Sequence, residues 1–113
     1  MIERGDIYYA DLSGGIGSEQ KGVRPVVIVQ NNMGNKHSTT LIVVPISKKL
    51  TKPPLPTHVI FQNEHLDYTS MILCEQLRTI DKKRLRSKIT HLNDNVMIQV
   101  NQALKISLNI QES

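Results

Sequence analysis

Apolar residues recur along this chain with two periods, which divide it into a β-rich body and a helical end. Ile7 to Leu12 reads as a first strand, opened by Gly5-Asp6 and setting Tyr8 and Tyr9 on opposite faces. Pro25-Val26-Val27-Ile28-Val29 and Leu41-Ile42-Val43-Val44 are short, β-branched and uninterrupted, the pattern of central strands buried on both faces. Between them Asn31 to His37 is rich in residues that tolerate a left-handed backbone, so a turn is expected. His58 to Phe61 and Met71 to Leu77 supply two further strands, joined by the polar Gln62 to Ser70. The three prolines of Thr51 to Pro56 offer no ladder donor and predict an edge loop. Asp81 is placed to N-cap a short basic helical turn through Arg86, followed by a brief return to the sheet at Lys88 to His91. From Asn93 as N-cap, Val96, Met97, Val100, Ala103, Leu104 and Leu108 form one stripe at helical spacing, predicting a helix packed on the sheet. The expected class is mainly β with α: a strongly curved, mostly antiparallel sheet or small barrel with a C-terminal helix.

Length and composition narrow the picture further. A chain of 113 residues suffices for one core, so residues 1–113 are read as a single domain. With 39% apolar and 21% charged residues it buries enough surface to fold. A net charge of +4 favours a polyanionic partner, although many basic proteins never touch nucleic acid. Charges stand in Met1 to Asp6 where a signal peptide needs an apolar core, and no stretch nears the roughly 18 apolar residues of a membrane span. A cytoplasmic protein is expected, with no membrane association. The single cysteine, Cys74, lies in the apolar run from Met71 and reads as a small buried hydrophobe rather than a nucleophile.

Several familiar chemistries find no footing. The four histidines, His37, His58, His65 and His91, show no i, i+4 pair with an intervening Glu, as a zinc hydrolase needs. Carboxylates are scattered, whereas a two-magnesium nuclease requires several converging on the metals. No metal or cofactor is expected. The glycines at 14, 15, 17 and 22 precede an Arg-Pro strand instead of opening a helix, which excludes a phosphate or dinucleotide loop of the usual kinds.

Three polar points remain. The segment Ser13 to Val23, with four glycines among eleven residues, predicts a mobile loop carrying Ser18, Glu19, Gln20 and Lys21 into Arg24. An arginine at the mouth of a buried strand is held rigidly, and its planar fork of donors suits a phosphate; equally, it can cap the strand or pair with Glu75. Ser47 follows the strand end Pro45-Ile46 and is either a turn residue or a hydroxyl of the site. Glu75, Gln76 and Arg78 interrupt an apolar strand, and burying them demands partners, in a cleft, at an interface or within the fold itself.

Taken together, Arg4-Gly5-Asp6-Ile7, Gly17-Ser18-Glu19-Gln20 with Arg24-Pro25-Val26, Val44-Pro45-Ile46-Ser47 and Glu75-Gln76-Leu77-Arg78-Thr79-Ile80-Asp81 resemble the MazF, PemK and Kid toxins of type II toxin-antitoxin systems. Order and spacing match over nearly the whole chain. Leu55-Pro56-Thr57-His58-Val59 and Lys83-Arg84-Leu85 to Leu92 look most like the branch found in Firmicutes. The resemblance implies an SH3-like small barrel and a homodimer. It also implies sequence-specific, metal-independent cleavage of single-stranded mRNA by the substrate's own 2′-OH, giving 2′,3′-cyclic phosphate and 5′-OH ends. The branch further implies a U-A-C-A-U-like recognition sequence. The implied inhibitor is a MazE-like antitoxin with an acidic, partly disordered tail.

By the same resemblance Arg24 is the main catalytic residue, and Ser47 stands where the family usually has threonine. The hydroxyl is kept, but the β-branch that restricts its rotamers is lost. Gly14-Gly15 replaces a frequent proline, a second departure. Glu19 is the candidate proton acceptor, while Ser18, Gln20, Glu75, Gln76 and Arg78 are candidates to read or clamp bases. The alternative is a non-catalytic toxin like CcdB, which shares this barrel and binds DNA gyrase. That toxin relies on a C-terminal Trp-Gly-Ile, whereas this chain has no Trp and ends Ile110-Gln111-Glu112-Ser113.

Overall fold

The computed structural model describes residues 1–48 and 53–111. Seven strands form one antiparallel system: β1 (Asp6–Asp11), β2 (Val23–Ile28), β3 (Thr40–Lys48), β4 (His58–Phe61), β5 (Ser70–Leu73), β6 (Arg78–Asp81) and β7 (Leu85–His91). Their order is β4-β5-β3-β2-β1-β7, with β6 paired to β3 off this path. Among the described residues β4 and β7 do not pair, so the curved sheet stays open rather than closing into a full barrel. Two helices complete the fold, α1 (Asn32–His37) and α2 (Asp94–Leu108).

Alternation along β2 and β3 sends apolar side chains both ways, because successive strand residues face opposite sides. Val27, Val44 and Ile46 join Ile7, Ile72 and Leu92 in a core that α2 closes with Val100 and Ala103. Val26, Ile28, Leu41 and Val43 face the other way and meet Ala10, Leu12 and Ile80 in a second core. Each fully buried Val or Ile contributes about 1.5–3 kcal/mol through removal of apolar surface from water. The uninterrupted apolar runs of the sequence are therefore central strands, as their composition predicts.

Three local expectations are corrected. Met71 to Leu77 does not form one strand: β5 ends at Leu73, the chain turns at Cys74-Glu75, and β6 begins at Arg78. Glu75 and Gln76 have no place on a strand buried on both faces, and the corner leaves them partly in water. Asn31 to His37 is a short helix rather than a turn, since the Asn31 side chain accepts from Gly34 N and caps it. The helical turn after Asp81 covers only Lys82–Arg84, because Leu85 leaves it to pack on the second core and β7 starts there. In addition, the stretch expected to be mobile, residues 13–23, has its neck closed by Leu12 N to Gly22 O (2.9 Å) and Gly22 N to Ser13 O (2.7 Å). Gly22, at φ 76°, supplies the left-handed backbone that this closure requires.

The Asp81 and Asn93 caps form as expected, accepting from Lys83 N and Val96 N. Along α2, Val96, Met97 and Leu104 pack against the first core, but Leu108 is 55% exposed because the helix runs beyond the sheet. In the expected edge loop, Pro53 to Pro56 lie in no strand, and Thr51 and Lys52 fall outside the described residues. Among the described residues no helix is long and apolar enough to cross a membrane.

Candidate functional site

The site arises from a change of partner along β3. On one edge β3 pairs with β2; on the other it pairs with β6 through Thr40 to Val43 and with β5 through Ile46 to Lys48. Val44 and Pro45 fall between these two ladders, and a proline is tolerated there because no ladder donor is asked of it on that edge. The β5–β6 corner bends away at the same level. A slot of about 180 Å³ opens there, lined by Pro45, Gln76, Leu77 and Arg78 and covered by Glu19 and Gln20 of the 12–22 loop.

The loop is tied down at both ends. Arg84 donates to Asp11 O (3.2 Å) and to Ser13 Oγ (2.6 Å) at the neck. At the tip, Gln20 N donates to Gln76 Oε1 (3.1 Å), and Gln76 Nε2 donates to Ser18 O (3.2 Å). Gln20 Oε1 is buried with no partner among the described residues. An acceptor left so costs about 1–3 kcal/mol, which marks it as waiting for a donor. The Glu19 side chain is exposed and has no ion-pair partner among the described residues.

Strand register carries the cationic groups to the same place. Val26 is opposite Pro45 at the end of the β2–β3 ladder, and Arg24 and Ser47 lie two residues beyond that pair on their own strands. Arg78 is opposite Val43, two residues from Pro45, so Arg24, Ser47 and Arg78 share the sheet face on which the slot opens. Arg24 is half-buried and its Nε donates to Lys21 O at 3.2 Å. Its two terminal nitrogens make no protein hydrogen bond among the described residues, so the guanidinium is oriented at its base and open at its tip. Among the described residues Ser47 Oγ makes one long 3.3 Å bond, to Lys48 O, and is loosely aimed.

Other candidates go elsewhere. Glu75 does not reach Arg24: its carboxylate accepts from Thr57 Oγ1 (3.2 Å) and from His58 Nε2 (3.0 Å). His58 Nδ1 accepts from Leu55 N, which assigns the proton to Nε2 and makes this a structural tie across the β4–β5 end. Cys74 is fully buried, and burial together with the Glu75 charge pushes its thiol up to about 12, so it carries no thiolate at neutral pH. Gln76 has both ends of its amide engaged by the loop. The two roomier depressions, each about 530 Å³, lie on residues 62–69 and on the end of α2. The first carries Glu64 and Asp67, which repel a phosphate.

The sequence alone did not suggest that Glu3, Asp6 and His91 meet, with ligand-type atoms within 4.8 Å of one another. Asp6 is fully buried and satisfied: it accepts from Glu3 N (2.9 Å) and holds His91 Nδ1 at 2.7 Å, with Lys88 Nζ at 3.5 Å. The Asp6 carboxylate is thus already engaged by a backbone N–H, an imidazole and an ammonium. This trio lies at the far end of β1 from Ala10, the partner of Arg24, about 13 Å away along the strand. It joins β7 to the N-terminal turn, where a side chain at Gly5 would meet His91 Cε1 at 3.0 Å.

Known proteins place the same architecture in one family. An endoribonuclease in complex with its cognate antitoxin, from a mycobacterial species, superposes with a TM-score of 0.83 at 24% identity, covering 100% of both chains. The Mycobacterium tuberculosis toxin MazF-mt6 gives 0.80 at 23% identity over 95% of this chain and 99% of that one. MazF of Deinococcus radiodurans gives 0.81 at 18%, over 96% and 97%. Residues 3–108 match the family described as PemK-like, MazF-like toxin of type II toxin-antitoxin system. With the match spanning nearly the whole chain and the fold shared from end to end, this protein belongs to the PemK/MazF toxin family.

Proposed function

We propose that this chain is a sequence-specific endoribonuclease that cuts single-stranded mRNA without a metal ion. The observation that carries the reading is Arg24, a guanidinium anchored through Nε and open at both terminal nitrogens among the described residues, on the same sheet face as Ser47 and as Pro45 and Arg78 of the slot. The 2′-OH attacks the adjacent phosphorus, its proton passes to Glu19, and the P–O5′ bond breaks to leave a 2′,3′-cyclic phosphate. The 5′ oxygen takes up a proton in turn. The phosphorane on this path carries more charge than the ground state, so Arg24 stabilises it preferentially, and Ser47 donates to a phosphoryl oxygen. Among the described residues Glu19 is the one carboxylate lining the slot, too few for a two-metal mechanism. Ser18, Gln20 and Arg78 are proposed to contact bases; Glu75 and Gln76 act from the corner behind them.

The test is cleavage of a long RNA with and without excess EDTA, with the product ends sequenced and their phosphates identified. Rates agreeing within about a factor of two, with 2′,3′-cyclic phosphate ends, are expected of a 2′-OH mechanism that uses no metal. Activity lost to EDTA and restored by magnesium would overturn the mechanism. RNA left intact in both arms would favour the CcdB-like alternative. The sequenced ends also decide the U-A-C-A-U-like preference that likeness to the Firmicutes branch supports.

Relatives crystallised with antitoxin support a MazE-like antitoxin as the natural partner, and membership of a toxin-antitoxin family supports the cytoplasm as the site of action. A homodimer is proposed from the same family membership. Light scattering at micromolar concentration is expected to give twice the 12.8 kDa chain mass, and an active monomer would refute it.

A further inference from the structure

Gln76 reads from sequence as a residue that contacts bases, yet in the fold its amide is turned away from that task. Its Oε1 and Nε2 hold Gln20 N and Ser18 O, the backbone groups on either side of Glu19. The neck of the same loop is secured separately, by Leu12, Ser13 and Gly22 backbone bonds and by Arg84. Between neck and tip the chain packs on itself at Gly15, where a Cβ would meet Glu19 O at 2.9 Å, and Glu19 N donates to Ile16 O (3.2 Å), while the glycines on either side are open. Gly14 has nothing within 4 Å of where a Cβ would sit, and Gly17 has none either and lies at φ 60°.

We propose that Gln76 is a positioning residue: its amide brackets Glu19, latching the tip of the 12–22 loop over the slot, and it does not itself read a base. This rests on the ribonuclease reading, in which Glu19 accepts the 2′-OH proton. Two bonds on the flanking residues restrict Glu19 as one bond could not, and they leave its carboxylate free for the substrate. The same latch sets Gln20 Oε1, buried and without a partner, in the slot as an acceptor for a nucleobase N–H. A neutral side chain with both ends engaged would have to break these bonds to recognise a base. Gln20 has no such conflict.

The experiment pairs amide exchange with single-turnover kinetics on the full chain, using Gln76→Ala and Gln76→Glu. In Gln76→Ala the Gln20 amide should exchange on the order of fivefold faster or more, as expected for loss of one neutral hydrogen bond, while Val27 and Val44 amides keep their protection. Gln76→Glu keeps an acceptor for Gln20 N and should retain that protection. Misplacing Glu19 should lower the maximal cleavage rate of Gln76→Ala by about 10 to 100-fold, with the half-saturating RNA concentration moving less than about threefold and the cleavage sites unchanged. Unaltered Gln20 exchange in folded Gln76→Ala would overturn the latch. A defect confined to half-saturation, with altered cleavage sites, would make Gln76 a base reader instead. Wild-type protein that cuts no RNA would defeat the ribonuclease reading and the positioning role together, while the exchange result still decides whether the loop is latched.

Discussion

Arg24→Ala should lose at least about 100 to 1,000-fold in single-turnover cleavage of a short RNA containing the preferred site, the usual effect of removing one preorganised donor to a developing charge. The guanidinium is oriented by a single bond from Nε to Lys21 O, so its alignment does not have to be assembled during the reaction. Its charge makes each contact about twice as strong as a neutral one. The fold should survive, because Arg24 is only half-buried and belongs to neither apolar core. Circular dichroism and antitoxin binding check that point. Ser47→Ala should fall less, by roughly 10 to 100-fold, since a neutral hydroxyl is the weaker donor. Ser47→Thr should keep or raise activity: β3 accepts a β-branched residue there, and the branch narrows the aim of a hydroxyl held, among the described residues, by one 3.3 Å bond. Near wild-type cleavage by folded Arg24→Ala would make Arg24 structural and turn attention to Glu19 and Glu75. A silent Ser47→Ala would remove that residue alone from the mechanism.

Replacing ribose by deoxyribose at the single nucleotide 5′ of the cut should abolish the reaction altogether. That 2′-OH is the proposed nucleophile, and among the described residues neither nearby candidate suits that role: Cys74 is buried with its thiol raised to about 12, and the Ser47 hydroxyl bonds to Lys48 O rather than to a base. Deoxyribose elsewhere in the same RNA should change the rate far less, since it removes at most one neutral hydrogen bond of about 1 kcal/mol. The measurement is product formation from chimeric oligonucleotides, each with one deoxyribose. Product at the modified position, with a terminal phosphate that is not cyclic, would show that water or a protein nucleophile attacks instead. Binding of the chimera, measured by competition, should be little changed, which separates loss of chemistry from loss of affinity.

The chain announces its central strands because apolar runs such as Val26 to Val29 and Leu41 to Val44 have no way to satisfy water on either face. It announces α2 equally well, since Asn93 and the Val96, Val100, Ala103 stripe state both where the helix starts and which face it buries. The motif residues around Arg24, Ser47 and Gln76 are legible as a set by resemblance to a family, and residues 3–108 belong to that family. Local rules misjudge the places where one segment depends on another. Met71 to Leu77 has the hydrophobicity of a single strand, but the corner at Cys74-Glu75 exists because β3 gives its edge first to β6 and then to β5. That exchange creates the slot beside Pro45, and no periodicity along one segment encodes a gap between two ladders. The glycines of residues 13–23 predict mobility, because backbone freedom is a local property. Closure of the same loop depends on Gln76 and Arg84, 58 and 73 residues from the groups they hold, and contacts at such separation are set by register and packing alone.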